Sequence, residues 1–543
     1  MAHVRGRCWL CVLGGLAALY GCSFQARYAQ TASEPADSGI ISSTAGMTAP
    51  PPLRDASTST PAGPGTHLGT GSGPSSGATM DWELDAAVSN PSRDAEADID
   101  TSPVCPSSLE QRLTVSTIGT GVDIRYKRLG YDNYPLDENI LFSVSPGGGM
   151  LLAFRENNGN RIRVTRLNAQ LTRDGPDLVV YAIDLGGLVA HDDRSFTLLT
   201  RRDDPGEPLR DTTTTDAIGK AAFLIHILGT KELFSVPLTG TSSITRASDP
   251  MARDCAPSLN GRLVWNGSKY GAYFAVHGCE GDPHEPYYGD KLVYVDGNGN
   301  SLKGGWSWNC SISQGMRLLP ERDKFTSFCM SDGAPYAGLN LVTEGVEPRQ
   351  LAPERVAAGY AAGRFGSVVR LNGRYVVAWS SRGVPDEVAS ARRPDQASKP
   401  APDVALLQLD PDYNTVMART WLTETPNVAE TNLHIAPYGP RQLLVVWDNV
   451  EALRCTEWTC WGTYTGTSAR LMDLNGNFLT PDVRIDAPPN SEQDIVVFPN
   501  GDLGWAFVRD EARDFAEPLP NNRGIPTVPP KQQLSIARLR YCE

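Results

Sequence analysis

Residues 277–290 carry the densest group of side chains suited to chemistry in this chain. The group combines histidines, carboxylates and tyrosines, and two tryptophans follow shortly after it: His277, Asp282, His284, Glu285, Tyr287, Tyr288, Asp290, Trp306 and Trp308. Histidines and carboxylates can bind a metal or transfer protons, and aromatic rings can stack on a sugar or another flat ligand. A solvated loop with tryptophans packed between strands explains the same residues without a ligand. The candidate ligand-binding residues are His284, Glu285, Asp290, Tyr287, Tyr288, Trp306 and Trp308.

A second aromatic group surrounds a short cysteine-bounded loop. Trp458 lies between Cys455 and Cys460, and Trp461 follows directly. A rigid aromatic loop suits recognition, although the same rings can cover the edge of a neighbouring sheet. We add Trp458 and Trp461 to the candidate ligand-binding residues.

Three acidic runs resemble the beginning of a calcium-binding loop. They share an Asp followed by Asp or Asn at alternate positions: 296–300, 410–414 and 473–477. None continues to the glycine and distal glutamate of an EF-hand, and Asn, Asp and Gly are the residues that tight turns require. The runs therefore predict hairpin turns, with calcium as the alternative; no other cofactor and no metal site is predicted.

The catalytic motifs of several large enzyme classes are missing. The sequence contains no Gly-x-Ser-x-Gly elbow, Walker loop, His-Glu-x-x-His pair or kinase signature, and His191-Asp192-Asp193 is interpreted as a turn. A formal net charge of −13 argues against a nucleic-acid partner, which favours a basic surface. These features favour a binding protein over an enzyme.

The elements that must position these residues are short strands. From residue 105 onward, seven apolar runs recur, each after a turn: 150–154, 195–200, 270–276, 325–329, 375–379, 443–447 and 503–507. Asn-Gly pairs precede several of them, which is a strong hairpin signal. A hairpin with one or two further strands, repeated in this way, is typical of a propeller blade. We predict an all-β, seven-bladed β-propeller, with six or eight blades as alternatives. The last unit is one strand short, and residues 111–116 can supply that strand.

Eight cysteines remain once the N-terminal segment is set aside, an even number that predicts four disulfides in an exported protein. No Cys-x-x-Cys pair supports zinc. The repeat pattern pairs them as Cys105–Cys542, Cys255–Cys279, Cys310–Cys329 and Cys455–Cys460.

The N-terminal segment has the features of an export signal. Arg5 and Arg7 precede an apolar stretch that is too short to span a bilayer. Its ending, residues 19–22, resembles the bacterial lipobox, which implies that Cys22 is diacylated and becomes the mature N-terminus. Residues 1–21 are then a signal peptide, residues 22–104 a disordered tether rich in Pro, Ser, Thr and Gly, and residues 105–543 the propeller domain.

The lipobox, the tether and the repeats 270–274, 289–292 and 304–310 together resemble exported lipoproteins of myxobacterial type. The resemblance implies anchoring to a bilayer through Cys22, at the outer membrane of a Gram-negative cell. We expect a recognition module for a protein or glycan of the cell envelope. The alternatives are a propeller hydrolase or lyase acting on glycans, and an envelope scaffold without a small ligand.

Overall fold

A computed structural model describes these residues of the chain: 108–124, 139–157, 159–202, 221–239, 254–255, 261–278, 288–307, 309–310, 313–331, 338–354, 364–381, 383, 401–455, 460–491, 493–508 and 531–542. All of them belong to one compact unit, Ala97–Glu543. The predicted signal peptide, Cys22 and the tether lie outside the described residues. Within the described part, no helix combines the length and apolar character needed to cross a membrane.

The described residues form seven antiparallel sheets, six with four strands and one with five. The first strands of neighbouring sheets contact one another in an unbroken cycle around a central channel. This arrangement is a seven-bladed β-propeller, which confirms the predicted fold and removes the alternatives of six or eight blades.

The strands are numbered in chain order. Blade 1 contains β2 (Ile140–Val144), β3 (Met150–Arg155), β4 (Arg161–Leu167) and β5 (Leu178–Tyr181). Blade 2 contains β6 (Asp184–Ala190), β7 (Ser195–Arg202), β8 (Ala221–Leu228) and β9 (Lys231–Pro237). Blade 3 contains β10 (Asp254–Cys255), β11 (Gly261–Trp265), β12 (Lys269–Gly278), β13 (Tyr288–Asp296) and β14 (Ser301–Ser307). Blade 4 contains β15 (Ser313–Pro320), β16 (Phe325–Ser331), β17 (Gly338–Thr343) and β18 (Arg349–Pro353).

Blade 5 contains β19 (Arg364–Leu371), β20 (Arg374–Ser381), β21 (Asp403–Leu409) and β22 (Thr415–Trp421). Blade 6 contains β23 (Val428–Tyr438), β24 (Gln442–Cys455), β25 (Cys460–Asp473) and β26 (Val483–Ile485). Blade 7 contains β27 (Val496–Val497), β28 (Leu503–Phe507), β29 (Lys531–Leu539) and β1 (Leu113–Ile124), and β1 is preceded by the single-turn helix α1 (Leu109–Arg112).

The last blade joins both ends of the domain. Strand β1 pairs antiparallel with β29, with Leu113 opposite Leu539 and Gly119 opposite Gln533. Both chain ends are therefore held in one sheet, as the missing outer strand of the last repeat predicts.

Each of the seven predicted apolar runs forms the second strand of a blade, and the turns before them have the conformations that their residues favour. Asn372 and Gly373, between β19 and β20, have φ values of 51° and 70°. Positive φ at both central positions is the geometry of the two-residue hairpin turn that Asn-Gly prefers. The local sequence thus sets the hairpin in each repeat.

The hydrophobic core is divided among the seams between blades. Seven main clusters of buried apolar side chains each draw residues from two neighbouring blades. Trp379, Trp447 and Trp505 are buried in these seams. At Gly187 on β6, an added Cβ would overlap the side chain of Leu263 on β11, so glycine permits two first strands to approach closely.

The blade topology gives the propeller two different faces. Because every blade repeats the same up-and-down order, the first strands all begin at one end of the channel. Second strands end and third strands begin at this end, which we call the long-loop face. It carries the strand ends that flank residues 203–220, 279–287, 382–402 and 509–530. The opposite end, the tight-turn face, carries the short hairpins, among them 192–194, 297–300 and 372–373.

Candidate functional site

The topology brings the strand ends that flank the sequence-predicted candidates to one face. Strands β12 and β13 flank residues 279–287, strands β24 and β25 flank residues 456–459, and Trp306 lies near the end of β14. These strand ends all lie at the long-loop face. The described side chains are Asp290 and Trp306; Tyr288 and Trp461 lie on strands β13 and β25, but their side chains are not described. The remaining candidates lie outside the described residues: His284, Glu285, Tyr287, Trp308 and Trp458.

Asp290 is a fully buried carboxylate whose oxygens accept four hydrogen bonds from the protein. Oδ2 accepts from Tyr273 Oη at 2.7 Å and from Trp306 Nε1 at 2.8 Å. Oδ1 accepts from the backbone amides of Asn309 at 2.7 Å and Cys310 at 2.8 Å. Burial raises the pKa of Asp290, and the bonds from the Cys310 amide, Tyr273, Trp306 and the Asn309 amide oppose that rise. This geometry makes Asp290 a clamp that fixes Trp306 and the following turn.

A disulfide lies beside this clamp. Cys310 and Cys329 are bonded, as predicted, with their Cα atoms 6.6 Å apart. Cys542 is also disulfide-bonded, while its predicted partner Cys105 lies outside the described residues. The cross-strand pairing places the backbones of Cys455 and Cys460 opposite each other, although their side chains are not described.

Cys255 pairs with His277 through the backbone of β10 and β12, and Cys279 lies outside the described residues. The Cys255–Cys279 and Cys455–Cys460 bridges remain predictions.

The three acidic runs form the turns between third and fourth strands, as the turn interpretation predicts. In the first, Asp296 Oδ1 accepts from the amides of Asn298 and Asn300 at 2.9 and 2.8 Å, and Oδ2 accepts from Asn300 Nδ2 at 2.9 Å. The same three bonds recur around Asp410 and Asp473. Each carboxylate thus satisfies the donors of its own turn.

The strongest convergence of charge lies at the channel mouth, the end of the central channel on the long-loop face. In blades 3, 4 and 6, the first strand carries a basic residue at equivalent positions. Each one pairs with the fourth residue of the apolar run on the second strand: Arg262 with Tyr273, Arg317 with Phe328 and His434 with Val446. Arg364 opens the first strand of blade 5 between them. The guanidinium of Arg317 lies 5.8 Å from the ring centre of Phe365, which helps to orient it. Three consecutive blades therefore each direct an arginine to the same region.

A carboxylate from blade 7 meets these arginines. Asp494 belongs to the connection 486–495, whose residues 487–490 are buried. Its Oδ1 lies 2.5 Å from Arg317 Nε and its Oδ2 3.9 Å from Arg262 Nε. Arg317 also donates from Nη2 to the carbonyl of Ser491 at 3.3 Å. The side chain of Asp494 is 52% exposed, whereas those of Arg317 and Arg262 are only 3% and 8% exposed. We call Arg262, Arg317, Arg364, His434 and Asp494 the channel-mouth cluster.

The pKa of His434 reflects the positive charges in this cluster. Burial, followed by the positive charges of Arg317, Arg262 and Arg364, lowers the pKa of His434 well below its usual range. The imidazole is therefore neutral at physiological pH. His434 is therefore influenced by three positive charges, although the whole chain carries a net negative charge.

A hydrogen-bonded chain fixes the orientation of that imidazole. Asn432 Nδ2 donates to the carbonyl of Pro489 at 2.9 Å and to Asp448 Oδ2 at 3.0 Å. Its Oδ1 therefore faces His434 Nε2, at 3.1 Å, and accepts the proton that the neutral ring carries there. Asn432 has a φ of 50°, at a bulge between Thr431 and His434. The strained residue thus couples the wall of the channel to the connection that carries Asp494.

A second acidic group at the start of the first strands is more fully enclosed. Asp184, the first residue of β6, contacts Arg155 Nη1 at 2.9 Å and Arg201 Nη2 at 2.7 Å. Its side chain is 14% exposed, much less than that of Asp494. Asp184 is therefore a structural ion-pair centre between blades 1 and 2, and Asp494 is the solvent-accessible carboxylate.

The His191-Asp192-Asp193 turn lies on the tight-turn face, between β6 and β7. Tyr270 Oη lies 2.8 Å from His191 Nε2, and Thr197 Oγ1 lies 2.8 Å from His226 Nδ1. Burial lowers the pKa of both histidines. These groups satisfy one another in the seam between blades 2 and 3, and the position of the turn away from the channel mouth agrees with its interpretation as a turn.

Chemically, the channel-mouth cluster can hold an anion, because guanidinium groups donate paired hydrogen bonds to carboxylate-like groups. In the described part of the chain, no group of three or more His, Cys, Asp or Glu side chains could hold a metal ion. Sequence reasoning missed this cluster. A signal for it was available in two successive repeats. In each, an Arg-Leu pair precedes the apolar run, and the arginine lies eight residues before the aromatic residue that begins the run: Arg262 before Tyr270 and Arg317 before Phe325.

Comparison with known proteins does not assign an activity. No protein-family model and no curated protein matches the chain. An oligogalacturonate lyase in complex with manganese is similar over 79% of this chain and 96% of its own, at 14% identity and a TM-score of 0.40. Hydrazine synthase of Kuenenia stuttgartiensis is similar over 66% of this chain and 97% of its own, at 8% identity and a TM-score of 0.36. An α-L-arabinofuranosidase from Lactobacillus brevis is similar over 54% of this chain and 92% of its own, at 10% identity and a TM-score of 0.29.

Proposed function

We propose that this protein is a propeller recognition module that binds an anionic group of a glycan at the channel mouth. The observation that carries the proposal is the meeting of Arg262 and Arg317, from two neighbouring blades, at a carboxylate that solvent can reach, with the charge of Arg364 from the next blade acting on the adjacent His434.

The net charge of the chain favours a ligand with few negative charges over a densely charged polymer. A net charge of −13 repels a densely charged polymer over long range, whereas the channel mouth is locally positive. A saccharide with one or a few anionic groups fits both conditions. His434 is fully buried and neutral, so it orients the cluster rather than contacting the ligand.

We also propose that the module is exported and attached to a bilayer through acylated Cys22, with the tether 22–104 as a spacer. The lipobox-like ending of residues 19–22 and the low-complexity composition that follows support this part of the proposal. The outer membrane of a Gram-negative cell is the expected location, and an envelope glycan is the expected partner.

Calorimetric titration of the full chain in detergent tests the proposal, with galacturonate oligosaccharides as the probe and the uncharged galactose oligosaccharides as reference. We expect the uronate to bind, and Arg317→Gln and Arg364→Gln to weaken binding by about tenfold or more, since each removes a charge partner of the anion. Arg441→Gln is the matched control, because Arg441 is exposed on the tight-turn face. Equal binding of charged and uncharged sugars would contradict the proposal. Cleavage of the oligosaccharide would support the hydrolase or lyase alternative, and a lack of binding to any glycan would support the scaffold alternative.

A further inference from the structure

We infer that Asp494 is a built-in carboxylate that occupies the ligand site of the unliganded protein, and that the ligand group which displaces it is itself a carboxylate, as in a uronic acid. This inference rests on the proposed anion-binding function and specifies both the ligand group and the way in which the protein controls access to it.

Asp494 forms ion pairs with two guanidinium groups. Its two oxygens face two different guanidinium groups, with Oδ1 toward Arg317 and Oδ2 toward Arg262. The two arginines come from blades 4 and 3, while Asp494 comes from blade 7. The planar carboxylate of Asp494 therefore links blade 7 to blades 3 and 4, which do not neighbour blade 7 in the ring. A carboxylate of a ligand has the same shape, whereas a sulfate or phosphate carries additional oxygens out of that plane.

The exposure pattern shows which partner can move. Arg317 and Arg262 are 3% and 8% exposed, and the Arg317 guanidinium is held against Phe365. Asp494 is 52% exposed and follows the buried part of its connection. Rotation of the Asp494 side chain into solvent uncovers the two guanidinium groups without unfolding a strand.

The rest of the connection provides a fixed support for this movement. Trp505 Nε1 donates to the carbonyl of Ala487 at 2.8 Å, and Asn432 Nδ2 donates to that of Pro489. Gln493 Oε1 accepts from the amide of Ala506 at 3.3 Å. These bonds hold Ala487, Pro489 and Gln493 in place, so exchange of one carboxylate for another requires only a local change at Asp494.

Self-occupancy lowers the apparent affinity for a ligand in proportion to the fraction of molecules in which the site is open. If Asp494 occupies the site in about 90% of molecules, its removal should tighten ligand binding by about tenfold. Asp494→Asn removes the charge and keeps the size of the side chain. Asp486→Asn is the matched control, because Asp486 is exposed at the start of the same connection.

The experiment titrates sodium galacturonate into the full-length wild type, Asp494→Asn and Asp486→Asn. We expect Asp494→Asn to bind about tenfold more tightly and Asp486→Asn to bind as the wild type does. A second measurement uses the wild type alone, so that it does not depend on how the variant folds: galacturonate should change the ¹³C chemical shift of the Asp494 side-chain carboxylate, because that carboxylate leaves its ion pairs.

Any other outcome contradicts either the inference about Asp494 or the proposed function. Weaker or unchanged binding by Asp494→Asn, or a carboxylate chemical shift of Asp494 that galacturonate leaves unchanged, shows that Asp494 does not compete with the ligand. Tighter binding of a sulfated sugar than of the uronate refutes the carboxylate assignment, and tighter binding of an acidic peptide refutes the saccharide assignment. If Asp494→Asn has no effect and Arg317→Gln and Arg364→Gln also leave binding unchanged, the proposed function itself fails. If the two arginine variants weaken binding, only the inference about Asp494 fails.

Discussion

Replacing Asp290 by alanine should destabilise the propeller by about 4 kcal/mol, because four donors, two of them buried and two part-buried, lose their acceptor at once. The donors are Tyr273 Oη, Trp306 Nε1 and the backbone amides of Asn309 and Cys310. A buried donor without a partner costs about 1–3 kcal/mol, and water entering the vacated space keeps the cost near the lower limit for each donor. Asp290→Asn keeps the shape but turns one acceptor into a donor, so it should cost about 2 kcal/mol.

Urea unfolding at neutral pH, followed by tryptophan fluorescence, measures these changes in the free energy of unfolding. Asp296→Ala is the matched control: its carboxylate accepts three hydrogen bonds in an exposed turn, where water can replace them, and its cost should stay below about 1 kcal/mol. A cost for Asp290→Ala no larger than that of Asp296→Ala would refute the clamp. Folded Asp290→Asn should also bind galacturonate as the wild type does; a selective loss of binding would instead make Asp290 a ligand residue.

Three further changes test other parts of the structure. Burial raises the pKa of Glu430 to about 8 from 4.5; the neighbouring Asp403 adds to this rise, and Thr423 opposes it. The protonated carboxyl group therefore stabilises the folded state fully below pH 4.5, and this stabilisation is lost as the pH rises through 8. The unfolding free energy of Glu430→Gln should therefore vary less than that of the wild type between pH 5 and 8, and parallel curves, or the same flattening in the exposed-site control Glu451→Gln, would contradict the assignment. Removing the Cys310–Cys329 bridge as Cys310→Ala/Cys329→Ala should cost about 3 kcal/mol in urea unfolding, as expected for a loop of this length, and an unchanged midpoint would show that the bridge does not limit stability. Cys22→Ser should move the protein from the membrane fraction to the soluble fraction of a Gram-negative host, and an unchanged distribution would refute the lipid anchor.

The repeat architecture was predictable because its signals are local. Each Asn-Gly or Asp-rich turn and each apolar run is encoded within about ten neighbouring residues, and the seven-fold recurrence then predicts the ring. Residues 372–373 illustrate this, since Asn and Gly supply the positive φ values that the hairpin needs. Closure of the ring by residues 111–116 was predictable as well, because the last repeat lacks one strand.

The site was not predictable in the same way, because it depends on contacts between distant parts of the chain. Asp494 meets Arg262 and Arg317 only after the ring has closed, and nothing in the local sequence of 486–495 marks that meeting. Composition drew attention to residues 277–290, yet two of the four bonds to Asp290 come from backbone amides, which no residue type reveals. Chemically rich loops were therefore easier to find than the channel mouth.

A crystal structure of the protein with bound galacturonate tests the central claim most directly. We expect the ligand carboxylate to lie at the channel mouth, within about 3 Å of the guanidinium groups of Arg317 and Arg262. The Asp494 side chain should be turned toward solvent. Galacturonate bound elsewhere, with Asp494 still paired to Arg317, would contradict it.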